Sequence, residues 1–219
     1  MRARESLKAI IPQLNNEDYI GIVKFDGTVS AWQNDVVSVE EFRAEAINYV
    51  TQLEAGGSTN LNDAVITGVN ILKRSSSSTH SRILVLLTDG QPTAGEVNTD
   101  RIIQNSISVV GDSGVSINCL GFGFDLDYNL LERLAINNNG IVHRIYTGQD
   151  ATEQLQGFYQ EVTAPLLAQI SFDYPLEIIE FVTAINFPYL FSGGEIVIAG
   201  KFEEGQTGLI PGCVGCLVS

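Results

Sequence analysis

The run Ile83-Leu84-Val85-Leu86-Leu87, ending at Thr88-Asp89-Gly90, constrains the fold more than any other part of the sequence. Consecutive apolar positions demand burial on both faces, as in a parallel strand covered by helices on each side. Parallel neighbours are joined only through crossovers, and the rest of the chain supplies them by alternating helix-like and strand-like segments. No internal repeat points to a solenoid or a propeller.

Ahead of that strand, residues 3–14 place Leu7, Ile10, Ile11 and Leu14 on one helical stripe. Tyr19 to Phe25 reads as a strand stopped by Asp26-Gly27, with Thr28 to Trp32 returning antiparallel as a hairpin. The spacing predicts a helix over 39–54, with Ser38 as N-cap and Glu41 completing a capping box, ended by Gly56-Gly57. Asn60 to Lys73 reads as a third helix and Ser75 to Ser78 as a polar linker.

Beyond the strand Arg82 to Thr88 the alternation continues through a helix at 98–110, a strand at 115–121, a helix at 127–136, a strand at 141–146 and a helix at 150–163. Pro165 closes the series. From Leu166 only short strands follow, at 170–174, 178–183 and 195–199, and Gly205 to Ser219 shows no closing element. The expected fold is α/β: a doubly wound, Rossmann-like, mostly parallel sheet flanked by helices over residues 1–165, the start of a β-rich region over 166–202, and an unassigned tail over 203–219.

With 26 acidic against 12 basic residues the net charge is −14, which disfavours nucleic acid and anionic lipid and favours cations or basic partners. No apolar stretch reaches the ~18 residues of a transmembrane helix, so membrane insertion is not expected, and the start of the chain does not read as an export signal. Three cysteines, Cys119, Cys213 and Cys216, are too few for a disulfide framework, although a local bridge in the tail stays open.

Two loops bring chemistry to the carboxyl side of the sheet: Gly56-Gly57-Ser58-Thr59-Asn60 before a helix, and Thr88-Asp89-Gly90 after the buried strand. Ligands of open α/β sheets bind outside the carboxyl ends of the strands, and hydroxyl and carboxylate oxygens suit a hard divalent cation such as Mg²⁺. Thr59 and Asp89 are therefore candidate metal ligands. The plainer alternative makes Thr59 a helix N-cap and Asp89 a turn residue.

Other candidates carry less. Asp125, Asp127 and Asn129 imitate the start of a calcium loop, but Leu130 stands where such a loop needs glycine, and Asp127 reads better as a helix cap. Gly121-X-Gly123 lacks the third glycine of a nucleotide fingerprint and reads as a turn. Cys119 reads as a buried thiol, Cys213-X-X-Cys216 lacks a second ligand pair for zinc, and His80 and His143 have no nucleophile beside them. Trp32 reads as packing.

Taken in order, "GGSTNLNDAV", "ILVLLTDGQPTAGE" and "LGFGFDLDYNLLERLA" resemble a von Willebrand factor A-type domain. With "YIGIVKFDGTVSAWQNDVV", "RIYTGQDATEQLQGFYQEVTAPLL" and "GGEIVIAGKF", the chain from Met1 to about Phe202 is similar to the inter-alpha-trypsin inhibitor heavy-chain family. The resemblance implies a metal-ion-dependent adhesion site built from an Asp-X-Ser-X-Ser loop, a threonine and an aspartate. Thr59 matches the threonine and Asp89 the aspartate. The Asp-X-Ser-X-Ser loop would precede the helix at 3–14, where this sequence opens, so the resemblance implies a weak divalent-cation site or none.

In the family the first strand lies between the strands at 19–25 and 82–88. Without it two apolar edges face a gap, so the chain is expected to fold poorly or to close its sheet without a central strand, and to be a piece of a longer protein. The function implied is that of a non-enzymatic, extracellular binding module with a protein or matrix ligand. It would come from a family that carries protease-inhibitor chains and becomes attached to hyaluronan through segments not matched here. The rival readings are an intracellular A-type scaffold and a Rossmann-like nucleotide-dependent enzyme; the second lacks both a phosphate loop and a nucleophile with its base.

Overall fold

The structure is a computed structural model that describes residues 2–54, 56–75, 80–123, 126–146, 151–163, 167–174, 179–190, 195–202 and 213–217. The chain divides into two units, Met1–Tyr159 and Gln160–Ser219.

The first helix, α1 (Arg2–Ile10), stops short of its expected end because Pro12 lies ahead of it. A proline ring disfavours the helical conformation at the preceding residue, and Ile11–Gln13 tightens into one 3-10 turn. Arg43 closes this end by donating from Nη1 to Ile11 O at 2.8 Å and from Nη2 to Leu14 O at 2.7 Å, which satisfies carbonyls the helix leaves open.

The expected strand over 19–25 is two strands with different partners. β1 (Tyr19–Ile20) pairs antiparallel with β4 (Val37–Ser38), whereas β2 (Val23–Phe25) pairs with β3 (Val29–Ala31). Helix α2 (Val39–Thr51) follows β4 directly. Ser38 is its N-cap residue, but the side chain makes no capping bond. The expected capping box with Glu41 is not formed, because Ser38 is held in the ladder opposite Tyr19 and Val39 N donates to Asp18 O at 2.9 Å.

The main sheet is β5 (Arg82–Thr88), β6 (Val115–Phe122) and β7 (Val142–Ile145), all parallel, with β6 central and buried at every position. Helices α3 (Leu61–Arg74), α4 (Thr99–Val110) and α5 (Tyr128–Ile136) are the crossovers between and around these strands. Leu61, Val65, Val69, Ile102, Leu130 and Leu134 pack with Val115, Ile117 and Cys119 into one core. Each fully buried aliphatic side chain there stabilises the fold by about 1.5–3 kcal/mol, so the layered α/β arrangement follows from the apolar pattern. A smaller core joins Ile11, Ile22, Ala46 and Val50, where Trp32 stacks on Tyr49 at 5.8 Å.

Among the described residues no strand pairs with the other edge of β5, and the β2–β3 hairpin is a separate sheet. Helix α3 packs on both β2 and β5 and so spans the interval between them. Ile83, Leu84 and Val85 of β5 are consequently only half-buried, while their partners on β6 are buried. This is the gap in the sheet that the family resemblance leads one to expect.

In the second unit, β8 (Leu167–Phe172) lies between β10 (Asn186–Leu190) and β12 (Cys213–Leu217), both antiparallel to it. β9 (Ile179–Val182) pairs with β11 (Gly200–Phe202). Helix α6 (Ala151–Thr163), which begins in the first unit, precedes β8. The expected strand at 195–199 falls just before β11, and β10 and β12 are not foreseen in the sequence, where Pro188 and a Gly-rich tail mask them.

Candidate functional site

Three loops meet beside the carboxyl end of β5. The segment 56–60 ahead of α3 is stitched to the segment after β5 through Thr59. Its N–H donates to Thr93 Oγ1 at 2.9 Å, and its carbonyl accepts from Thr93 N at 2.9 Å and Ala94 N at 3.2 Å. The Thr59 hydroxyl oxygen lies 3.5 Å from the point a β-carbon on Gly90 would occupy, so Thr59 and the Asp89-Gly90 turn are neighbours. The structure thus brings the two loops carrying the sequence-predicted pair together.

Thr59 is not the cap of α3. That role belongs to Asn60, whose Oδ1 accepts from Asp63 N at 3.3 Å while its Nδ2 donates to Asp63 Oδ2 at 2.8 Å. With capping assigned to Asn60, the Thr59 hydroxyl is spared a backbone duty. Among the described residues neither that hydroxyl nor the Asp89 carboxylate has a hydrogen-bond or ion-pair partner. Asp89 is exposed and Thr59 half-buried.

The third loop, Asp26-Gly27-Thr28, is visible in the sequence only as a hairpin turn. Asp26 O accepts from Asn60 N at 2.7 Å, and a β-carbon on Gly56 would come within 2.4 Å of Asp26 Cβ. Its carboxylate is engaged: Oδ1 accepts from Thr28 N at 2.8 Å and Thr28 Oγ1 at 3.0 Å, and Lys24 Nζ lies 3.7 Å from Oδ2. These bonds, the Thr28 backbone one foremost, hold the Asp26 carboxyl below the usual carboxylate range. Asp26 anchors the rim, and its carboxylate, unlike that of Asp89, is already engaged by Thr28 and Lys24.

A hard divalent cation wants several oxygens and charge neutralisation. Among the described residues no three His, Cys, Asp or Glu side chains converge, so this rim offers one carboxylate, Asp89, and one hydroxyl, Thr59. These donors fit part of the coordination sphere of such an ion and leave the rest to water.

The remaining candidates occupy structural places. Asp127 caps α5, its Oδ1 accepting from Leu130 N at 3.0 Å, as expected; Asn129 is an exposed residue of that helix, and Asp125 lies outside the described residues. Gly123 takes φ +84, and Gly121 is hemmed in by Leu126 and Leu131. Burial pushes the Cys119 thiol well above its ordinary range, which leaves it a neutral core group. His80 meets the ring of Tyr19 at 5.3 Å, and His143 that of Phe158 at 5.3 Å. Cys213 and Cys216 lie in β12, and their side chains are outside the described residues, as are residues 76–78 of the polar linker. Among the described residues no helix is long and apolar enough to cross a membrane.

Residues 1–161 match the von Willebrand factor type A domain family. Over 209 residues, 93% of its length, the chain is 40% identical to mouse inter alpha-trypsin inhibitor, heavy chain 4, and it spans 22% of that relative. The fold is similar to that of a von Willebrand factor type A protein from Catenulispora acidiphila, with a TM-score of 0.70, 18% identity, and coverage of 97% of this chain and 50% of that one. It is also similar to proximal thread matrix protein 1 from the mussel byssus, solved with a zinc-occupied MIDAS motif, at a TM-score of 0.57, 15% identity, and coverage of 76% and 44%. Parallel β5, β6 and β7 between helices, the loops meeting at their carboxyl end and the match over residues 1–161 agree: the chain belongs to the von Willebrand factor type A domain family.

Proposed function

We propose that this chain is a non-enzymatic, extracellular binding module of an inter-alpha-trypsin inhibitor heavy-chain-like protein, with a protein or matrix ligand and a reduced metal-ion-dependent adhesion site. The observation that carries the reading is the approach of Thr59 to the Asp89-Gly90 turn at the carboxyl end of β5, with neither side-chain oxygen engaged by a partner among the described residues. An ion held there keeps coordination positions for water and for an acidic group of a ligand. With one carboxylate from the chain, Mg²⁺ or Mn²⁺ binds weakly. The heavy-chain likeness supports an extracellular site and association with hyaluronan-rich matrix or protease-inhibitor chains; no residue of this chain is assigned to those attachments.

Binding rather than catalysis is supported by where the reactive side chains sit. His80 and His143 lie against aromatic rings and Cys119 is a buried neutral thiol, which supports packing roles for them rather than those of base and nucleophile.

An ion that binds only the folded chain raises its thermal midpoint. Titration with Mg²⁺ and Mn²⁺ is expected to raise the midpoint at millimolar ion, and both Asp89→Ala and Thr59→Ala should abolish the rise. An unchanged midpoint, or a rise that survives Asp89→Ala, contradicts the proposed site.

A further inference from the structure

The turn between α5 and β7 contains Asn139-Gly140, the one Asn-Gly pair in the sequence. Asn139 is exposed and takes φ 55, a left-handed conformation. Gly140 cannot be replaced without displacing main chain, because a β-carbon there would lie 2.0 Å from Ile117 O. The glycine of the pair is therefore imposed by the close approach of this turn to β6.

That pair also carries reactivity. In an Asn-Gly sequence no side chain hinders attack of the glycine nitrogen on the asparagine Cγ. The new C–N bond closes a succinimide, the glycine nitrogen loses its proton, and the side-chain nitrogen leaves as ammonia. Water then opens the ring at either carbonyl, giving an aspartyl or an isoaspartyl residue, with no oxidant or reductant involved.

In the native turn the attack is obstructed. Gly140 N–H donates to Ala135 O at 2.9 Å, so the proton that must leave the attacking nitrogen is held in a hydrogen bond. The flanking residues are also tied. Asn138 O accepts from Ile117 N at 3.1 Å, Asn138 Nδ2 donates to Ser106 Oγ at 2.9 Å and to Leu134 O at 2.8 Å, and Ile141 N donates to Asn118 Oδ1 at 3.0 Å. Rotation of Asn139 into a reactive geometry needs these bonds to open.

We infer that Asn139 is a spontaneous deamidation site whose reaction is gated by opening of the α5–β7 turn. An isoaspartyl residue adds one carbon to the main chain between Asn138 and Gly140, both fixed against β6. The product therefore cannot restore the turn, and opening becomes irreversible.

The test is to age the chain at mildly alkaline pH, both native and in guanidinium, and to follow residue 139 by peptide mapping with mass spectrometry. Aspartyl and isoaspartyl products should accumulate at 139 ahead of every other asparagine in guanidinium, and more than about tenfold more slowly in the native chain. After removal of guanidinium the aged chain should show a lower thermal midpoint, whereas Asn139→Gly, which suits the same φ, should keep its own. Equal rates in the two states, faster reaction at another asparagine, or an equal loss of midpoint in Asn139→Gly would overturn the inference.

Discussion

The side chain of Asn60 occupies the space that any side chain on Gly95 would need: a β-carbon there would lie 2.3 Å from Asn60 Oδ1. Gly95 also takes φ +66. The residue that caps α3 thus sets the course of the loop that follows Asp89, so the two halves of the rim are positioned by one side chain. Gly95→Ala should cost about 1–3 kcal/mol through the left-handed backbone and the clash, and Asn60→Ala about 1 kcal/mol through the lost cap, both read by chemical denaturation. Gly95→Ala should also weaken any Mn²⁺ effect, since it moves the loop whose Thr93 and Ala94 hold Thr59.

Asn118 lies wholly inside the core, where its Oδ1 accepts from Ile141 N at 3.0 Å and its Nδ2 donates to Ser116 Oγ at 3.3 Å. Asn118→Leu leaves a backbone N–H without its acceptor and is expected to lower stability by about 1–3 kcal/mol. Equilibrium unfolding in urea measures this directly.

Cys119 gives a pH dependence. Burial raises its thiol pKa in the folded chain, so the unfolded chain ionises first. The stability it contributes is complete below the ordinary thiol pKa of about 8.5 and is lost as pH rises beyond that value. Unfolding free energy should fall between neutral and strongly alkaline pH, less steeply in Cys119→Ala. In a Cys213→Ser, Cys216→Ser background, a thiol reagent should react with Cys119 only after denaturant is added.

Asp26 works in the opposite direction. Its carboxyl lies below the usual range because Thr28 and Lys24 favour the charged form. Its contribution is present above the ordinary aspartate pKa and disappears as pH falls through the lowered one. A carbon-detected NMR titration should place Asp26 below the ordinary aspartate range, and Thr28→Ala should move it only part of the way back, because the bond from the residue 28 backbone N–H remains.

Amide exchange reports the open edge. β6 is bonded on both sides along its carboxyl half, while among the described residues β5 is bonded on one side only. Alternate amides of β5 should exchange much faster than those of Cys119 to Phe122. Uniform protection along β5 would mean that its second edge is paired.

Much of this architecture is legible in residue order because the deciding signals are local. β5 runs from Arg82 to Thr88 as its apolar run requires, and Asp127 caps α5 as its place before Tyr128 implies. What the sequence does not disclose is pairing. Tyr19 to Phe25 looks like one strand, yet Gly21-Ile22 divides it between Val37–Ser38 and Val29–Ala31, a choice made by distant residues. β10 contains Pro188, and β12 lies in a glycine-rich tail, so their strand character comes from β8 rather than from their own composition. The candidate site is half legible for the same reason. Thr59 and Asp89 stand out by type and loop position, but the anchoring by Thr93, Gly95 and Asp26 is made of contacts between loops far apart in sequence.

The most direct test of the proposed site is to add Mn²⁺ to isotope-labelled chain and map its paramagnetic broadening residue by residue. Broadening centred on the amides of Ser58 to Asn60 and Asp89 to Gly90, and absent in Asp89→Ala, is the predicted result. No broadening at millimolar Mn²⁺, or broadening centred on any other acidic surface of this chain, would contradict it.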